Sequence, residues 1–150
     1  MFLFLILGLI MLELLKTVFH SDLGSEFNNW VFFGFRVLLF VELIRVHGLK
    51  KIDSKHDTPN PLGLPQKLNN FISILAMLYL PVLGIIGLGT RLVLIPALMV
   101  TSIGYFVIHK NDTITIRDIP YMYSLNLLLL IFVGPGSISV DQLIWSSYLQ

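Results

Sequence analysis

Apolar residues fall in long stretches separated by short polar breaks, without the strict alternation of a half-buried strand. A stretch of about 20 such residues has the length of a helix that crosses a hydrocarbon core. The first stretch, Phe2 to Phe19, is interrupted only by Glu13, Lys16 and Thr17, and a polar loop from His20 to Asn29 follows. Trp30 opens the second, which runs to about Leu49. Residues 50–67 read KKIDSKHDTPNPLGLPQK, where three prolines and a high density of charge forbid a span. The third stretch, about Leu68 to Leu88, carries Pro81 and closes at GLGTR. That turn is so short that the fourth stretch, about Leu92 to Ile108 with Pro96 inside, must return antiparallel beside it. The polar run HKNDTITIRD ends the fourth. The fifth is read from Pro120, a residue suited to the first position of a helix, to Val133, and stops at Gly134-Pro135-Gly136. Ser139 and Gln142 have the spacing of a capping box, so residues 139–149 are read as a short terminal helix with Trp145 and Tyr148 at the membrane interface.

The pattern predicts an all-α membrane protein: one domain over residues 1–150, five spans, and a short interfacial helix at the C-terminal end. Composition strengthens this. Hydrophobic residues make up 55% of the chain, charged residues 13%, and the mean hydropathy is +0.83, values suited to lipid rather than water. The net charge of +1 and the position of the basic residues beside apolar stretches argue against a nucleic-acid partner. Cysteine is absent, so the chain builds no disulfide, thiolate metal site or dithiol relay, and no intrinsic cofactor or metal is expected from its motifs. No Lys or Arg precedes the first apolar run and no small-residue cleavage site follows it, so that run is read as a retained helix.

Lys and Arg in the connections set an orientation. Lys50, Lys51, Lys55, Lys67, Lys110 and Arg117 fall on the side of the N-terminus, and little beyond Arg91 falls on the other. The N-terminus is therefore expected in the cytoplasm and the C-terminus outside, in the periplasm of a Gram-negative host.

Ionisable groups in lipid cost about 2.5–3.5 kcal/mol each on insertion scales, so each needs a partner or a purpose. Glu13 and Arg36 lie at matching depths in a hairpin of the first two spans, roughly 10 Å from its outer side, and an ion pair is the simplest way to satisfy both. Glu13, Lys16, Thr17 and His20 share one helical face that is expected to meet the bundle. Glu42 and Arg45 form a second candidate pair at i, i+3, on a different face of the second span from Arg36 and His47. His47 and His109 end the second and fourth spans at similar depth. Facing histidines can ligate haem iron, a histidine can hydrogen-bond a quinone carbonyl or a lipid head group, and boundary histidines are also commonly satisfied by water or backbone. Gly84, Gly87, Gly89 and Gly104 permit close helix approach, Pro81 and Pro96 are read as packing kinks, and Asn126 needs a hydrogen-bond partner, expected on another helix.

The second span, FRVLLFVELIRVHGLKKI, carries Arg36 and ends in His47, Gly48 and Leu49 with Lys51 beyond. The turn IIGLGTRL holds Gly87, Gly89, Thr90 and Arg91, and GPGSISVD holds Ser139 and Asp141. In these three patterns residues Val31 to about Ile144 resemble the DoxX family of small bacterial membrane proteins, with its arginine-bearing helix ending His-Gly-Leu-x-Lys, its Gly-Leu-x-Thr-Arg turn and its Gly-Pro-Gly ending followed by a Ser-x-Asp. The resemblance implies a four-helix transmembrane bundle over residues 30–150, to which residues 1–29 add one helix, in a bacterial plasma membrane. It also implies a setting in membrane redox systems, including quinone-linked ones. Arg91 and Asp141 both fall at the outer boundary near the depth of Arg36, where they can knit helix ends together.

No complete catalytic constellation is present in the sequence, so the first expectation is a membrane subunit that docks with a redox enzyme or offers it a quinone site. The second is a structural or assembly subunit of a larger complex, with the first helix as a contact surface. The third, a proton or small-solute pathway through Glu13, Arg36 and Glu42, ranks last because too few polar residues line up across the membrane.

Overall fold

The computed structural model describes residues 2–19, 24–49 and 58–148, and among these the secondary structure is helical throughout. Helix α1 spans Phe2–Phe19 and α2 spans Glu26–Leu43, continuing into a wider π turn at Ile44–Gly48. Helix α3 is Gln66–Ile86, α4 is Thr90–Ile108 and α5 is Ile114–Val133; among the described residues these three are long and apolar enough to cross a membrane. The short α6, Val140–Tyr148, follows the Gly134-Pro135-Gly136 loop.

The helix limits follow from local chemistry. Helix α2 begins four residues before Trp30 because Ser25, in extended backbone, accepts the Asn28 N–H at 3.2 Å and caps the first turn. Helix α3 ends where Gly87 turns left-handed (φ 75°), and the Leu88 N–H then reaches back to the Leu83 carbonyl at 3.0 Å. Helix α5 starts at Ile114 rather than Pro120. The Pro120 ring is accommodated inside the helix against the small Gly104 of α4, and its missing N–H removes only one backbone bond. Helix α6 is capped as its spacing foretells, with Ser139 Oγ accepting the Gln142 N–H at 3.2 Å.

Helices α4 and α5 pack against each other most extensively, α3 and α4 form the hairpin required by their short turn, and α2 lies against α3. The core is small: Phe40 and Leu43 of α2, Met77 of α3, Leu94 and Ala97 of α4, Leu127 and Leu130 of α5. Large apolar side chains point outward instead, Phe132 being 75% exposed, while Arg36, Thr90, Thr101 and Asp141 are buried. A water-soluble fold would reverse this distribution. Helix α1 packs against α6 and keeps most of its described side chains exposed.

The described helices contain three π turns: Ile44–Gly48, Leu75–Tyr79 within α3 and Gly104–Ile108 within α4. A π turn carries one extra residue and commonly marks a functional position. The first two pack together. Gly48 makes that approach feasible, because a Cβ there would stand 2.6 Å from the Met77 carbonyl oxygen. In α3 the wide turn immediately precedes Pro81, which has no N–H to return to the residue-77 carbonyl.

Candidate functional site

Two polar groupings stand at opposite ends of the bundle, since Arg36 and His47 are eleven residues apart on one helix and so about 16 Å apart along its axis. At the first end, helix termini are capped by side chains from other helices. Arg36 is fully buried; its Nη1 donates to the Pro135 carbonyl, and its Nη2 donates to those of Ile138 at 2.8 Å and Ile85 at 3.4 Å. The guanidinium also stands 5.3 Å from the Phe33 ring centroid. Arg91 donates from Nε to the Ile131 carbonyl at 3.1 Å and from Nη2 to that of Val133 at 3.2 Å, taking up acceptors in the last turn of α5. Asp141 does the converse for α4, its Oδ1 accepting the Gly89 N–H at 2.6 Å and its Oδ2 the Thr90 N–H at 3.1 Å. The Asp141 N–H returns to the Gly87 carbonyl at 2.9 Å. Burial pushes the Asp141 carboxyl above its ordinary value, while the Gly89 and Thr90 N–H donors and the charges of Arg36 and Arg91 pull it down. Gly87 is indispensable to the approach: a Cβ there would sit 2.5 Å from Ser139 Cβ. Among the described residues, Arg36 Nε and the Thr90 hydroxyl are buried in this knot without a hydrogen-bond partner.

At the second end the helices part around a cavity of about 400 Å³. All three π turns contribute to its wall, Val46 and His47 from the first, Met77 from the second, Gly104 and Ile108 from the third, and His109, Thr101 and Pro120 complete its polar and curved parts. His47 stands edge-on to Tyr123 with ring centroids 5.1 Å apart. His109 Nδ1 lies 2.6 Å from Asp112 Oδ2; a proton on Nδ1 would leave Nε2 as the free acceptor of a neutral ring. The Thr101 hydroxyl accepts from Ser124 at 2.9 Å and donates to the Leu98 carbonyl at 3.1 Å. Nearby, Arg117 stacks 4.8 Å from the centroid of the Tyr105 ring. Such a space, mostly apolar with a few convergent polar groups, has the size of a small-molecule site.

Several sequence-based placements change. Arg36 is held by three carbonyls and not by Glu13, which lies on the exposed side of α1. The loop after α5 leaves carbonyls that no helix satisfies; a guanidinium with five donors can serve several of them at once, and in doing so it spends the donors that a carboxylate such as Glu13 would otherwise take. Glu42 and Arg45 do meet, at 2.7 Å, but on the outside of α2. Asn126 donates to the Met122 carbonyl of its own helix at 2.7 Å rather than to a neighbour. Trp145 is buried instead of facing an interface. His47 and His109 line one cavity, and Arg91 and Asp141 join Arg36 in the knot. Lys51, His20 and the side chains of Lys16 and Thr17 lie outside the described residues. Among those described, no three His, Asp or Glu side chains gather closely enough for a metal ion. Nothing in the sequence singles out Thr101, Tyr105 or Tyr123, and Arg117 stands there only as a topology charge; its aromatic partner Tyr105 lies on α4, so spacing along α5 gives no signal of the contact.

Comparison with family models, with curated proteins and with solved structures finds no match to this chain.

Proposed function

We propose that the protein is an integral subunit of a bacterial plasma membrane, with α1 to α5 as its five spans, and that it lends a quinone site to a membrane-associated oxidoreductase that supplies the chemistry. The observation that carries this reading is the cavity between three π turns, with His47 and His109 on its wall. Imidazole can donate to, or accept from, a quinone or quinol oxygen, while the surrounding carbon surface favours a flat apolar ring. The excess of Lys and Arg in the connections at this end supports a reading in which the cavity faces the cytoplasm and the knot faces outside. The DoxX likeness agrees with this setting: its three sequence patterns supply Arg36, Gly87, Gly89, Arg91, Ser139 and Asp141, which meet in the knot.

The test is extraction. Protein purified in mild detergent should yield about one quinone per chain by redox difference spectrum, and His47→Leu with His109→Leu should lose it while keeping the unfolding temperature. Absence of quinone from the intact protein, together with failure to bind an added benzoquinone, would end this reading.

One observation favours a second reading, an assembly subunit. Helix α1 exposes Leu7, Ile10, Met11 and Leu14, an apolar surface that a larger complex could cover. An oxidoreductase that co-purifies without quinone, and is lost on deleting residues 2–19, would support it.

A further inference from the structure

A second chamber of about 240 Å³ adjoins the histidine-lined cavity, and Pro59, Val100 and Ile108 line both. It lies between α3 and α4 under the segment 58–64, with Leu62, Leu64, Ile72, Pro96, Met99 and Ile103 giving it a carbon surface. The roof is fastened, not draped. Asn69 Nδ2 donates to the Thr58 carbonyl at 3.3 Å, to Thr58 Oγ1 at 2.8 Å and to the Pro59 carbonyl at 3.2 Å. Gln66 donates to the Thr58 carbonyl at 2.9 Å, and the Thr58 hydroxyl donates to Asn70 Oδ1 at 2.6 Å. Asn60 closes the turn by accepting the Leu64 N–H at 3.0 Å and donating to the Leu64 carbonyl. The amides at this edge are therefore engaged with the roof, and apart from the Ser73 hydroxyl what the chamber offers an occupant is apolar surface.

From this we infer that the chamber holds the linear apolar tail of the molecule whose ring occupies the neighbouring cavity, so that the ligand is a tailed amphiphile. The inference rests on the ring site proposed above and adds its ligand class. A first chamber with a few hydrogen-bonding side chains, followed by a roofed one of nearly pure carbon surface, separates the two parts of such a molecule in order: head to hydrogen-bonding side chains, tail to carbon. A ring without a tail would leave the second chamber's apolar wall uncovered and forgo its burial.

Equilibrium dialysis of the full chain in mild detergent against a tail-less dimethoxy-methyl-benzoquinone and its decyl homologue tests the inference. Ile103→Trp and Leu62→Trp, two residues that line only the second chamber, provide two independent ways to fill it. Because detergent partitioning of each quinone is the same for every protein, the ratio of the two affinities is compared between proteins. The wild type should favour the decyl compound by at least about tenfold more than either variant does, with tail-less binding unchanged. An equal ratio in all three proteins, with the tail-less ring still bound, overturns the tail chamber and leaves the ring site standing. Failure of both quinones to bind the wild type overturns the ring site and the chamber together. Loss of co-purified phospholipid in the variants with an unchanged ratio overturns the inference as well, and gives the chamber to a bilayer acyl chain.

Discussion

At the Arg36 end, two arginines and an aspartate spend their hydrogen bonds on the loose ends of three helices, and residues 85–91 and 131–141 are drawn into one tight cluster. At the His47 end α2, α3 and α4 widen by π turns around a cavity that has His47 and His109 on its wall. Both ends are rich in polar groups within an otherwise oily chain, and both use glycine to bring elements close. The difference lies in what the polar groups face: at one end the backbone, at the other a cavity. Away from water, an unsatisfied helix end costs more than it would at a soluble surface, so the first arrangement stabilises. The second gives up packing density, which a purely structural bundle would not do without another use for the space.

The comparison is most easily broken at Arg36. Arg36→Leu leaves the carbonyls of Pro135, Ile138 and Ile85 without their donor, and the loss on unfolding in detergent should be about 3–5 kcal/mol, with Arg36→Lys recovering only part of it. A loss no greater than that of a surface substitution would mean that the knot does not hold the bundle. Next comes Gly87→Ala, which forces a side chain onto left-handed backbone and into Ser139; a cost of about 2–3 kcal/mol is expected in thermal unfolding. Asp141→Ala removes a cap from another helix and should cost about 1–2 kcal/mol, read also as faster hydrogen exchange at Gly89 and Thr90. At the opposite end, His47→Leu should change stability by less than about 1 kcal/mol while weakening quinone binding, which would sharpen the contrast between support and site. The smallest effect belongs to Arg45→Gln: the pair with Glu42 is exposed, and the melting temperature should not move.

Much of this architecture was legible in the chain. Long apolar stretches gave the helix limits to within about four residues, except at the start of α5, six residues before Pro120; the GLGTR turn required a hairpin, and Ser139 with Gln142 announced α6. The sequence puts Arg91 and Asp141 at the depth of Arg36, and the structure brings the three side chains into one knot. The same depth argument chose Glu13 for Arg36 and failed. Charge can be counted from letters, whereas the carbonyls freed by Gly134-Pro135-Gly136 are a property of backbone that every residue shares. The π turns were hidden for a related reason. They insert a residue into a hydrogen-bond ladder without changing the apolar pattern, and Pro81 and Gly48 announce them only once it is known which helices touch. His47 and His109 were matched in depth by the sequence, but the space between them depends on those turns.

The contacts of Arg36 also constrain the order in which the molecule can be finished. Its carbonyl partners at Pro135 and Ile138 follow it by 99 and 102 residues. A growing polypeptide therefore places a permanently charged guanidinium in its second helix long before the ribosome has made what neutralises its appetite for acceptors. Until the loop after α5 arrives, that helix has reason to sit shallow or to borrow acceptors from lipid head groups and water, and its final seating becomes a late step that reports the completion of the whole chain.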